Sequence, residues 1–84
     1  MSYVRTNDDV AFNLKKARQY KGLTQSEIAS KLNVDRSTYS YYESGRSLPS
    51  IFQIIKISSI LNLKILYFFT IGSPEKDVYF GLRN

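Results

Sequence analysis

Apolar residues recur at helical spacing in short blocks, separated by glycine, asparagine and proline. Val10, Leu14 and Ala17 mark one face of a first helix, which Asp8 or Asp9 would cap and Gly22 would end after about Lys21. Lys15, Lys16 and Lys21 lie largely off that face. Thr24-Gln25-Ser26-Glu27 has the capping-box pattern and opens a second helix with Ile28, Ala29 and Leu32 on its apolar side. Asn33 and Val34 break the pattern, and Asp35 is placed to cap a third helix from Arg36 to about Ser44, before Gly45. Pro49 ends the next loop. Ser50-Ile51-Phe52-Gln53 then repeats the capping box and starts a fourth helix, ending near Leu61 and Asn62. A fifth short helix, Lys64 to about Thr70, precedes Gly72-Ser73-Pro74. The last ten residues carry Val78, Tyr79, Phe80 and Leu82, which fit either a strand or a segment packed on the core. Short helices joined by tight turns predict an all-α bundle, with an arm at 1–8, a helical domain at 9–71 and a tail at 72–84.

The stretch from Ile51 to Ile71 is apolar and about long enough to cross a bilayer. Lys56 and Lys64 fall inside it, each costing roughly 2.5–3.5 kcal/mol at mid-span, and Asn62 reads as a turn. Two soluble helices are therefore expected, with no membrane association. The amino terminus has no apolar core of a signal peptide, which points to the cytoplasm.

Composition narrows the chemistry. The 84 residues suit one domain, and the absence of both cysteine and histidine removes thiolate and imidazole zinc sites and the commonest nucleophile–base pairs. No enzyme activity, metal or cofactor is expected. The formal charge of +5 is the electrostatic footprint of a nucleic-acid binder, although a basic surface also serves solubility.

The segment from Gly22 to Arg46 carries the most information. Two short helices meet across Lys31-Leu32-Asn33-Val34, and Ala29 offers a small side chain where their backbones approach. That is the pattern of a helix-turn-helix. The run Leu23-Thr24-Gln25-Ser26-Glu27-Ile28-Ala29, then Leu32-Asn33-Val34, Arg36-Ser37-Thr38, Tyr42-Glu43-Ser44-Gly45-Arg46 and Pro49-Ser50 closely resembles the phage lambda/434 repressor and Cro family. Within it, the Xre-type regulators are the most similar. The likeness covers about residues 10 to 70 and implies a five-helix DNA-binding domain, dimeric on a palindromic operator.

By that resemblance, Gln25 holds a phosphate at the start of the second helix, where amides point at an anion. Arg36, Ser37, Ser40 and Tyr41 fall where the family's recognition helix reaches base edges. Arg36 suits a bidentate contact to guanine, and Tyr41 a thymine methyl or a phosphate. Thr38, Ser44 and Arg46 fall at phosphate-contact positions. Each of these would otherwise stand as part of a solvated polar face. Arg18 and Glu43 match positions that form an internal salt bridge between the first and third helices, and Tyr39 and Tyr42 match core positions, with packed rings and wet hydroxyls.

The fifth helix departs from the family pattern. Lys64 stands where a serine cap is common and Leu66 where an acid is common, and the run Leu63 to Phe69 is more apolar than one buried face requires. Leu66 and Phe69, with Tyr79 and Phe80 of the tail, are therefore expected at a homodimer contact, unless the tail folds back over them. The reading is a sequence-specific transcriptional regulator, a repressor of double-stranded DNA promoters, with no small-molecule effector site. The alternative is a protein-interaction module, such as an antitoxin, that keeps the fold.

Overall fold

The computed structural model describes residues 2–3 and 6–71; Tyr79 and Phe80 lie outside the described residues. Strand β1 (Ser2–Tyr3) is followed by α1 (Asn7–Tyr20), α2 (Gln25–Leu32), α3 (Arg36–Ser44), α4 (Ile51–Leu61), a 3-10 helix (Ile65–Phe69) and strand β2 (Thr70–Ile71). The helical architecture is the expected one, except that the fifth helix is a single 3-10 segment. The two strands pair antiparallel, Ser2 opposite Ile71 and Tyr3 opposite Thr70.

The helix starts follow side-chain chemistry. Thr6, rather than Asp8 or Asp9, caps α1, and Asp9 completes the box by accepting from the Thr6 amide at 3.2 Å. Thr24 and Glu27 form a complete box on α2, with both bonds present. That capping bond holds the Glu27 carboxyl below its ordinary range. At α4 only half of the box forms: Ser50 accepts from the Gln53 amide, while the buried Gln53 Oε1 has no partner. Asp35 takes the N-cap position of α3 with extended backbone but makes no capping bond.

The four α-helices end on one device. A residue in the left-handed region follows each, namely Gly22, Asn33, Gly45 and Asn62. The next amide then reaches back five residues: Leu23 to Arg18, Val34 to Ala29, Arg46 to Tyr41 and Leu63 to Ser58, at 2.9–3.1 Å. Gly45 suits this position because its φ is 79°, and a Cβ there would also oblige the Asp8 carboxylate to move aside.

One core gathers all helices: Val10, Leu14, Ala17, Ile28, Ala29, Leu32, Tyr39, Tyr42, Ile54, Ile57, Leu61, Leu63, Tyr67 and Phe68. Asn13 is buried among them and donates to the carbonyls of Phe68 at 3.0 Å and Thr70 at 2.9 Å. Those bonds explain the short fifth element. Lys64 supplies no cap, and the carbonyls at the end of the segment bond to α1 instead of continuing a helix.

Candidate nucleic-acid interface

The α2–α3 pair is held at close range by Ala29, which is buried, and by the left-handed Asn33 that turns the chain between the helices. Tyr39 and Tyr42 bury the inner side of α3, their rings meeting edge to face with centroids 6.1 Å apart. The opposite side is left to solvent. At about 100° per residue, Arg36, Ser40, Ser44, Ser37 and Tyr41 cover an arc of roughly 140°. Arg36, Ser37, Tyr41 and Ser44 are exposed and Ser40 is half-buried. The four residues expected at base edges thus share one outward face with Ser44. Thr38 is half-buried toward the edge of that arc.

Arg46 and Tyr41 are brought together across the Gly45 turn. The Arg46 guanidinium lies over the Tyr41 ring, 5.2 Å from its centroid. The Tyr41 carbonyl also accepts from the Arg46 and Ser47 amides and from the Ser44 hydroxyl, at 3.1–3.2 Å.

Behind this face sits a charged network. Arg18 Nε donates to Glu43 Oε2 at 2.6 Å, its Nη2 to Glu43 Oε1 at 3.0 Å and its Nη1 to the Leu23 carbonyl at 2.8 Å. The Glu43 side chain is 3% exposed and that of Arg18 is 11% exposed. Burial pushes the Glu43 carboxyl up, but the hydrogen bonds from Arg18 and Gln25, the Tyr39 hydroxyl beside it and the arginine charge together hold it below its ordinary range. Tyr39 departs from the expected wet hydroxyl: the group is buried and has no aligned hydrogen-bond partner. Its phenol is raised by burial first and by the neighbouring carboxylate second.

Gln25 occupies the first position of α2, yet its Nε2 donates to Glu43 Oε1 at 3.0 Å. An amide nitrogen has two donors. One orients the side chain on Glu43, which leaves the other and the helix-start amides of α2 for an anion. Residue spacing alone carries no sign of this tether.

A second feature also lies outside the residues singled out from the sequence. Leu48, Ile51, Phe52 and Ile55 are exposed, Phe52 by 73%. Beside them is a cavity of ≈ 210 Å³ lined by Leu48, Pro49, Ile51, Ile54 and Phe69. Leu66 is 39% exposed, and Phe69 packs partly into the core while lining this cavity. The available signal was α4 itself, which is apolar on nearly every side. No helix among the described residues is long and apolar enough to cross a membrane. Nor does any group of three or more acids gather there as metal ligands.

A two-helix unit with a small-residue contact, a left-handed turn and a polar outward second helix defines a helix-turn-helix protein. The chain belongs to the helix-turn-helix family, whose sequence model matches residues 14–68. It is 42% identical over 64 residues to an uncharacterized HTH-type transcriptional regulator, YqaE, of Bacillus subtilis, an alignment covering 76% of this chain and 55% of that protein. This chain therefore spans about half the length of that relative. In structure it is similar to the restriction-modification controller protein C.AhdI of Aeromonas hydrophila, with a TM-score of 0.71 and 27% identity, covering 75% of this chain and 96% of the other. A mutant of a second restriction-modification controller protein matches with a TM-score of 0.67 and 32% identity, over 74% of this chain and 83% of the other. The family model and these neighbours make the chain a helix-turn-helix protein by class.

Proposed function

We propose that the protein is a cytoplasmic, sequence-specific repressor that binds a palindromic operator as a homodimer, with α3 in the major groove. The observation that carries this reading is the single outward face of Arg36, Ser37, Ser40, Tyr41 and Ser44 on a helix fixed from behind by the part-buried Arg18–Glu43 pair. Arg36 and Tyr41 select bases, Gln25, Thr38, Ser44 and Arg46 hold phosphates, and repression follows from occupying a promoter; no bond is made or broken. Lys15, Lys16 and Lys21 add long-range attraction through the formal charge of +5. Relatives that are transcriptional regulators and restriction-modification controllers support the regulatory role.

The dimer contact is a second copy of the α4 face. Phe52 is the most exposed large apolar side chain of α4, and Ile51 of the same helix lines an apolar cavity, so a two-fold axis can set Phe52 of each protomer against the α4 face of its partner. This extends the contact expected at Leu66 and Phe69 to Leu48, Ile51, Phe52 and Ile55. Because α4 packs on α2 and the 3-10 helix, its outer face leaves α3 free for DNA.

Selection from a random duplex pool at two salt concentrations tests the function, with Arg36→Ala alongside. The expected result is a palindromic motif, a steep salt dependence and a relaxed guanine preference in the variant. Motif-free binding, or none, would overturn the reading in favour of a protein-interaction role.

A further inference from the structure

The four α-helices close with the same backward-reaching amide, but the residue carrying that amide differs in one case. Leu23, Val34 and Leu63 lock α1, α2 and α4 by packing on the core. At α3 the equivalent residue is Arg46, which is exposed and lies over Tyr41 instead. A hydrophobic lock has been replaced by a cation stacked on a residue of the outward helix face.

We infer that Tyr41 and Arg46 act as one reading unit, in which Arg46 positions the Tyr41 ring against a thymine C5-methyl group while its own N–H edge grips the neighbouring phosphate. This rests on the DNA-binding reading above. The guanidinium covers one ring face at 5.2 Å, and the backbone bonds from Arg46 and Ser47 to the Tyr41 carbonyl fix the turn that brings them together. Tyr41 remains 45% exposed, so ring surface is left for a ligand. Among base edges in the major groove, the thymine methyl is the apolar group that such a surface can meet. A guanidinium seated over a ring face still has N–H donors at its edge to offer to phosphate oxygens. Arg46 is thus a positioning residue for base choice as well as a phosphate contact.

The test uses the full chain and the duplex selected by the wild type, with each thymine in turn replaced by deoxyuridine, which lacks only the methyl group. The wild type should lose about fourfold in affinity at one thymine per half-site, the value expected for one buried methyl group. Tyr41→Phe should keep this discrimination and Tyr41→Ala should abolish it. Arg46→Ala should lose most of it at the same thymine, and should also lower the slope of log affinity against log salt by about one. Arg46→Lys should keep the slope yet lose much of the discrimination, since an ammonium has no planar face to stack. The guanine preference assigned to Arg36 should stand unchanged in all four variants, which separates positioning from general damage to α3. If Arg46→Ala binds more weakly but retains the full deoxyuridine penalty, Arg46 is a phosphate contact alone and the inference fails. If Tyr41→Ala retains it, Tyr41 is not the reader and the inference also fails. Absence of any selected motif in the wild type would instead count against DNA reading as a whole.

Discussion

Glu43 is an acid placed directly behind the surface proposed to face phosphates, and its partners explain how it is tolerated there. Both of its oxygens are engaged, by two nitrogens of Arg18 and by Gln25, so its charge is neutralised inside the fold. Glu43→Ala should destabilise the domain by about 1–3 kcal/mol, because the part-buried guanidinium keeps only the Leu23 carbonyl as a partner. Arg18→Met combined with Glu43→Leu should recover much of that loss, and urea unfolding of the two single variants and the double one would check it. The pH dependence has a definite sign. A carboxyl held below its ordinary range stabilises the fold above the unfolded value, near pH 4.3, and that contribution disappears as the pH falls through the folded value. Wild-type stability should therefore drop below about pH 4.3 more steeply than that of the Arg18→Met/Glu43→Leu double variant. The pair was legible in the sequence only through the family resemblance, which places Arg18 and Glu43 at matching positions. The tether from Gln25 was not, since a residue at a helix start can turn its amide toward solvent or inward, and only the packed neighbour decides.

The element boundaries show what local chemistry can and cannot specify. Thr24–Glu27, Gly22, Asn33, Gly45 and Asn62 act through atoms within a few residues, and their elements start and stop where the sequence places them. The fifth element depends instead on Asn13, more than 50 residues away in the chain, and so its 3-10 form could not be read from the run Leu63 to Phe69. The sequence pattern does place Asn13 between Val10, Leu14 and Ala17 on the inward side of α1, where a polar residue needs a partner. Asn13→Ala should cost about 1–3 kcal/mol by removing its buried hydrogen bonds to the carbonyls of Phe68 and Thr70. Hydrogen exchange should show the amides of residues 65–71 losing protection before those of α2 and α3. Uniform loss of protection along the chain would mean that Asn13 supports the whole core and not the terminal segment.

Among the described residues, two surfaces bear on assembly and binding, and they lie on different elements. One is the polar outward face of α3; the other is the apolar face of α4 with its adjoining cavity. A palindromic operator requires two α3 helices about 34 Å apart, so each must lie roughly 17 Å from the two-fold axis. With principal extents of 32 × 27 × 20 Å, a protomer can meet its copy through one side and still present α3 at that distance. Burying a phenylalanine contributes about 1.5–3 kcal/mol, and two-fold symmetry counts it twice. Phe52→Glu should therefore weaken self-association by a hundredfold or more. Since Phe52 is 73% exposed in the single chain, the melting temperature of the dilute variant should barely change. Sedimentation equilibrium across a concentration series checks the first expectation and thermal unfolding the second. DNA binding couples the two surfaces: Phe52→Glu should bind a single half-site as well as the wild type does, while losing its preference for the full palindrome. A variant that dimerises normally would show that α4 is not the contact. One that loses half-site binding as well would show that Phe52 supports the fold that holds α3.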